Sequence, residues 1–251
     1  MKYILIVFIF LACNNNPGKI DSRKISSELL DTIKSSQVRI VATPVLFETA
    51  FINGTTQLVN KNVFSFYGIT IGKIKINSGY IIACDPMHID EYGIPFTQVF
   101  PTGEYDMQLA IAKFKDQESI AFARISFSDE PVQKWEFALR EGEKPTPIGG
   151  EDMPGFSVDA GVGVYIDKEA NKVFDRKKAE NMDAEVFKEM EKHYHNKWKY
   201  TMYNFGNYNL AAFSTGFGDG YFGTYIGFDA AGNPCRLLTD FNLFDWKQNK
   251  N

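Results

Sequence analysis

From Ile69 to Ile76 the chain alternates, with Ile69, Ile71, Lys73 and Lys75 on one side and Thr70, Gly72, Ile74 and Ile76 on the other. Asn77-Ser-Gly79 then separates this run from the apolar Tyr80-Ile-Ile-Ala-Cys84. A period of two, a turn and a second apolar run predict a β-hairpin. A second hairpin is predicted from 106–114 and 119–127 around Lys115-Asp-Gln-Glu118, and residues 141–155, with four glycines and three prolines, read as a loop. The period changes once. From Asp183 to Trp198, the residues Val186, Phe187, Met190, Tyr194 and Trp198 fall on one helical face while Glu185, Lys188, Glu189, Glu191 and Lys192 fall elsewhere. Asp183 is the expected N-cap, and Glu185 suits the positive end of the helix dipole. Strands return at 210–214, 221–228 and 234–241, and no internal repeat is visible. Adjacent strands with a single strong helix predict an α+β fold, mostly antiparallel β-sheet with one substantial amphipathic helix, in a single domain over residues 43–246.

The first thirteen residues follow a different logic. Lys2 precedes an unbroken apolar run from Tyr3 to Ala12, which ends at Cys13 and the polar stretch Asn14-Asn-Asn-Pro-Gly18. The run is too short to span a bilayer, which takes about twenty apolar residues, and has the length and flanks of a secretory core region. With a cysteine at its end it resembles the cleavage box of bacterial lipoproteins. That resemblance implies a signal peptide over 1–12, lipidation of Cys13 and a bacterial envelope location, with the membrane held through N-terminal lipid. Phe10 departs from the pattern, since a smaller aliphatic residue is commoner there, and one lysine is a thin basic flank. An ordinary buried N-terminal strand is the alternative. Residues 13–42 then form the lipidated cysteine and a polar tether, in which Ile25, Leu29, Leu30 and Ile33 are spaced for one short helix. Residues 247–251 form a polar tail.

Charge narrows the partners. The full chain carries a formal net charge of −4, and loss of the leader makes it about −5, spread along the chain with no extended basic stretch. Phosphate recognition needs clustered Lys/Arg, so no nucleic acid partner is expected. An aromatic content of 15% favours strands. Cys84 and Cys235 both sit beside apolar runs and read as buried small hydrophobes, and an oxidising compartment leaves a disulfide between them open.

The most distinctive segment is Ser214-Thr-Gly-Phe-Gly-Asp-Gly-Tyr-Phe-Gly-Thr-Tyr-Ile-Gly227. Gly218-Asp219-Gly220 between two strands reads first as a turn, where positive φ is cheap, and second as a device that exposes Asp219 and nearby amides to a ligand. Together with Ser78-Gly-Tyr-Ile-Ile-Ala-Cys-Asp-Pro86, Val158-Asp-Ala-Gly-Val-Gly-Val-Tyr-Ile-Asp167 and Leu238-Thr-Asp-Phe241, in that order, it resembles the bacterial family of domains of unknown function numbered 4241, whose named signature is a GDG motif. The resemblance covers roughly residues 45–245 and implies no reaction.

Those motifs carry Asp85, Asp159, Asp167, Asp219 and Asp240. A convergent set of carboxylates would hold a divalent cation such as Ca²⁺ or Mg²⁺, while separate aspartates would cap their own turns. On a straight strand Asp159 and Asp167 share a face but stand about 26 Å apart, so they cannot share one ion. Gly161 and Gly163 on that face leave an expected groove beside Asp159, and Val162, Val164 and Ile166 point to a core. His88, four residues after Cys84, invites a thiol–imidazole pair, against which the apolar run before Cys84 argues. His193 and His195 point to different faces of the predicted helix and make a poor chelate. Gly68-Ile-Thr-Ile-Gly-Lys73 is one residue short of a phosphate loop, and Gly161-Val-Gly163 lacks the third glycine of a dinucleotide fingerprint. Two functions remain. One is a non-catalytic envelope protein that binds a small ligand or another protein, with candidate residues Asp85, Asp159, Gly161, Gly163, Gly218, Asp219, Gly220 and Asp240. The other is a metal-assisted hydrolase, with Asp85, Asp159, Asp219 and Asp240 as ligands and a bound water as nucleophile.

Overall fold

The structure, a computed structural model, describes residues 44–244 except 60, 151, 179 and 180. The signal, Cys13, the tether and the tail at 247–251 lie outside the described residues. Two antiparallel sheets account for the strands. The larger runs in the order β1 (Thr55–Val59), β2 (Asn62–Ile76), β4 (Gly103–Phe114), β5 (Gln117–Ser126), β13 (Pro234–Asp240), β12 (Gly220–Phe228) and β6 (Lys134–Phe137), and β7 (Phe156–Val158) pairs with the start of β12. The smaller runs β3 (Ile81–Cys84), β8 (Val162–Asp167), β11 (Tyr208–Ser214), β10 (Trp198–Phe205) and β9 (Tyr194–His195). Among the described residues no helix is long and apolar enough to cross a membrane.

Alternation along the strands sorts side chains into three cores. Ile81, Ala83 and Tyr165 of the small sheet pack with Met107, Leu109, Ile125 and Leu237 of the large one. The opposite face of the small sheet, with Ile82, Cys84, Val162, Val164 and Ile166, is covered by Phe174 of α3 (Lys168–Lys178) and by Val186 and Met190 of α4 (Met182–Glu191). The outer face of the large sheet is covered by α1 (Leu46–Thr49), whose Leu46 and Phe47 meet Phe66, Phe122 and Tyr225. Glu48 on α1 faces two buried guanidiniums, 3.0 Å from Arg124 Nη1 and 3.4 Å from Arg236 Nε. The second contact is not aligned as a hydrogen bond. Burial pulls the Arg124 pKa down to about 10 even though Glu48 opposes the shift. Between the sheets the Tyr165 hydroxyl lies 2.7 Å from Thr239 Oγ1 and 3.2 Å from the Ala123 carbonyl oxygen, a polar tie across an apolar core.

The β4–β5 hairpin forms where the sequence places it, closing tightly so that Phe114 pairs with Gln117. The hairpin expected from 69–76 and 80–84 does not form, because β2 pairs with β1 and β4 while β3 pairs with β8 in the other sheet. Two features turn the chain across. A bulge at Thr70/Gly72 bends β2, with Gly72 at φ 144 and its absent Cβ only 2.8 Å from Met202 Cγ of the small sheet. Beyond β2, the fully buried Asp167 carboxylate accepts the Asn77 and Ser78 amides at 3.0 and 2.9 Å and the Ser78 hydroxyl at 2.7 Å. Its other oxygen accepts the Glu169 amide at the start of α3. Asp167 therefore caps a helix and clasps a turn at once, and three of its four donors sit about ninety residues away, where no local pattern shows them.

The helix expected to reach Trp198 ends at Glu191. Tyr194 and Trp198 sit at helical spacing from Met190 but belong to the β9–β10 hairpin, whose turn places Asn196 and Lys197 at φ 39 and 81. The helix begins after Asn181, at φ 64, whose side chain makes no cap bond. The α3 helix was not foreseen, since Lys168, Glu169, Asn171 and Lys172 mask the buried Ala170 and Phe174. Cys84 and Cys235 are buried thiols that do not bridge one another. Cys84 is fully covered on the helix side of the small sheet, a setting that argues against a reactive thiolate there.

Candidate functional site

The segment expected as one strand from Val158 to Asp167 is two strands in different sheets, joined by a bend at 159–161. Its cause is a contact between distant parts of the chain. Asp85, 2% exposed, follows β3 and caps the 3-10 turn Pro86–His88 by accepting the Met87 amide at 2.7 Å. Its second oxygen accepts the Asp159 and Ala160 amides at 2.8 and 2.9 Å. Gly161 completes the reversal at φ 61, a value that costs any residue with a Cβ. Steric crowding is not the reason for this glycine, since a Cβ there would meet Gly218 Cα at an ordinary 3.5 Å.

That distance also brings the GDG segment into the site. Gly161 accepts the Thr215 amide at 3.1 Å through its carbonyl. Thr215, fully buried, in turn accepts the Gly218 amide at 2.7 Å through its carbonyl, and donates its hydroxyl to the Gly218 carbonyl at 2.8 Å. The turn from Thr215 to Gly220 is thereby fixed against the 159–161 bend, and a Cβ on Gly161 would stand 3.9 Å from Asp219 Oδ1. Three connections meet here: the turn after β3, the bend between β7 and β8, and the turn between β11 and β12.

Two carboxylates reach solvent at this corner. The Asp159 side chain is 78% exposed, with His88 Nε2 3.8 Å away, and Asp219 is exposed on the adjoining turn. Two residues before Asp219, Phe217 is 85% exposed, and Tyr221 at the foot of β12 is 47% exposed. His88 packs edge-on to Tyr92 of α2 (Ile89–Tyr92) at 6.0 Å, and Tyr92 is itself 56% exposed. Beneath the corner, Arg140 Nη2 donates to the Ala83 carbonyl at 2.9 Å, holding the end of β3.

The remaining candidates are structural. Gly163 is buried where a Cβ would come within 3.2 Å of Phe213 and Thr215, so it allows β8 to pack and lines no groove. At Gly220 a Cβ would stand 2.7 Å from the Phe222 ring. Gly218, at φ 118, has open space around it and fits the turn role. Asp240 lies on the large sheet opposite Gly223, 2% exposed, and accepts the Asn242 amide at 2.9 Å. Burial first, and the Asp240 charge second, push the neighbouring Tyr225 hydroxyl upward. Among the described residues no three Asp, Glu, His or Cys side chains are grouped so as to hold a metal ion. Asp85, Asp159, Asp219 and Asp240 are therefore not assembled as one ligand set. Three do converge on the corner, but Asp85 spends its oxygens on backbone amides. Thr215 and Phe217 were missed as site residues. The signal that was available is an aromatic residue set between Gly216 and Gly218 beside the expected turn.

A shallow polar depression of about 430 Å³, lined by residues such as Lys75, Asn77, Glu104 and Asn207, lies elsewhere, at the end of β2. A search of curated proteins and a search of solved structures each found no match. The family described as protein of unknown function (DUF4241) matches residues 74–239, about two-thirds of the chain, from the last residues of β2 into β13. The matched span holds Asp85, Asp159, Thr215 and Asp219 and stops one residue before Asp240. The chain belongs to the DUF4241 family.

Proposed function

We propose that this protein is a lipid-anchored bacterial envelope protein whose β-rich domain is a non-catalytic binding module, with the corner around Asp159, Phe217 and Asp219 as its contact surface. The observation that carries the reading is Phe217, a large apolar ring 85% exposed on a turn that is itself rigidly braced. Leaving such a ring in water gives the fold nothing, whereas burying it against a partner recovers about 1.5–3 kcal/mol. The flanking exposed carboxylates suit a partner that offers cationic or N–H donor groups around an apolar contact. Bracing matters because a pre-ordered loop loses little entropy on binding.

Capture from envelope extracts tests the surface, using the wild type, Phe217→Ala, Asp219→Ala and a remote control, Glu104→Ala. The expected result is a bound species kept by the control and lost from the Phe217 and Asp219 variants. Capture that ignores all three substitutions would place the contact elsewhere. The anchor has a separate test. Cys13→Ser should move the protein from the membrane to the soluble fraction, and persistence on membranes in high salt would refute lipidation as the attachment. Stable attachment implies more than one acyl chain, since a single chain binds membranes marginally.

A further inference from the structure

Three hairpins end in short turns that each hold one lysine in the left-handed region: Lys61 at φ 68, Lys115 at φ 55 and Lys197 at φ 81. The closing pairs are Val59 with Asn62, Phe114 with Gln117, and His195 with Trp198, so each loop has two residues. Such loops favour Asn or Gly, because a longer side chain at positive φ is strained. The turns lie side by side. Asn196 Nδ2 donates to the Asp116 carbonyl at 3.1 Å, and Lys197 Nζ donates to Gln117 Oε1 at 2.8 Å. On the other flank, Phe64 stacks on Phe114 at 5.0 Å, and Ser65 pairs with Lys113, which brings the β1–β2 turn level with the β4–β5 turn.

We propose that this tip docks on an anionic lipid surface. Lys61, Lys113, Lys115 and Lys197 are all exposed there, against Asp116 and Glu118, on a chain whose overall charge is −4. Glu118 is turned inward, with Tyr67 Oη at 3.0 Å and Lys113 at 3.5 Å. The lysines of this tip come from turns far apart in the sequence, so their grouping is not visible along the chain. Beside it the cross-strand pair Leu58 and Val63 is 64% and 59% exposed. Lysines beside an apolar pair match a bilayer interface, where headgroup phosphates meet the charges and the apolar side chains enter the acyl boundary. The inference goes beyond the binding corner and does not depend on it, since it uses none of Asp159, Phe217 or Asp219.

The test is co-sedimentation of the full chain with phosphatidylglycerol-containing and pure phosphatidylcholine vesicles. The leader is common to every variant and sets the background on neutral vesicles. The wild type should bind the anionic vesicles about tenfold more tightly, and about 0.5 M salt should abolish the difference. Lys61→Asn, Lys115→Asn and Lys197→Asn combined should bring binding to the neutral-vesicle level with little change in thermal midpoint, because Asn is at home at positive φ, which offsets the loss of the exposed Lys197–Gln117 hydrogen bond. Leu58→Ser with Val63→Ser should weaken binding to anionic vesicles, while Phe217→Ala should leave it unchanged. Equal binding by the wild type and the triple variant would overturn the proposal. So would heparin binding as tight as vesicle binding, which would make the tip a general polyanion site.

Discussion

Replacing Asp85 with alanine separates a bracing role from a ligand role more cleanly than any other substitution at the corner. The carboxylate takes three backbone amides at 2.7, 2.8 and 2.9 Å while 2% exposed. Hydrogen bonds to a charged group contribute about 1.5–3 kcal/mol each, so the undiscounted loss is roughly 4.5–9 kcal/mol. The donors belong to Met87, Asp159 and Ala160, all exposed residues, so water can reach their amides once the side chain is gone. That discount leaves about 2–4 kcal/mol, or roughly 5–15 °C in thermal midpoint for a domain of this size. Asp85→Asn should fall between wild type and alanine, since its amide nitrogen presents a donor to at least one donor. Circular dichroism melts give the stability, and hydrogen exchange of the 159–161 amides reports the bend directly. A loss below about 0.5 kcal/mol with unchanged exchange at 159–161 would refute the reasoning and return Asp85 to the candidate ligands.

Tyr165→Phe removes the hydroxyl near Thr239 and Ala123 and should cost about 1–2 kcal/mol in chemical denaturation, with the m-value unchanged. Glu48→Ala leaves Arg124 and Arg236 facing each other without their shared carboxylate, and should cost about 2–3 kcal/mol after allowance for the partial exposure of Glu48, with Glu48→Gln milder in the same melt. Burial first, then the hydrogen bond to Glu118 and its charge, push Tyr67 from 10.0 up to about 12. The fold favours the protonated phenol, so its contribution is complete below pH 10 and is lost as pH rises through about 12. Denaturation series across that window should show a shallower decline for Tyr67→Phe than for wild type, and identical slopes would count against the coupling.

The sheets were legible where side chains obey a simple period. Ile120, Phe122 and Arg124 alternate with Ala121, Ala123 and Ile125, and β5 follows from that pattern alone. Partners were less legible than strands. The pairing of β3 with β8 depends on Asp167 reaching back to Asn77 and Ser78, and on the bulge at Gly72, neither of which leaves a local signature. The overlong helix has a similar origin, because Met190, Tyr194 and Trp198 are spaced by four whether the chain coils or folds into a hairpin. At the corner, the turn role of Gly218-Asp219-Gly220 and the exposure of Asp219 were readable from type and order. The nearness of Asp85, Asp159 and Thr215 was not, since about 130 residues separate the first from the last. Reading 158–167 as one straight strand spread Asp159 and Gly163 along a groove that the bend replaces with a braced corner.

A photo-reactive phenylalanine analogue installed at Phe217 in producing cells tests the central claim most directly, with the same analogue at Glu104 as control. The expected result is a discrete cross-linked species from position 217 that is absent from position 104 and disappears when Asp219→Ala is added. No adduct at 217, or the same adducts from both positions, would contradict the assignment of this corner as the binding surface.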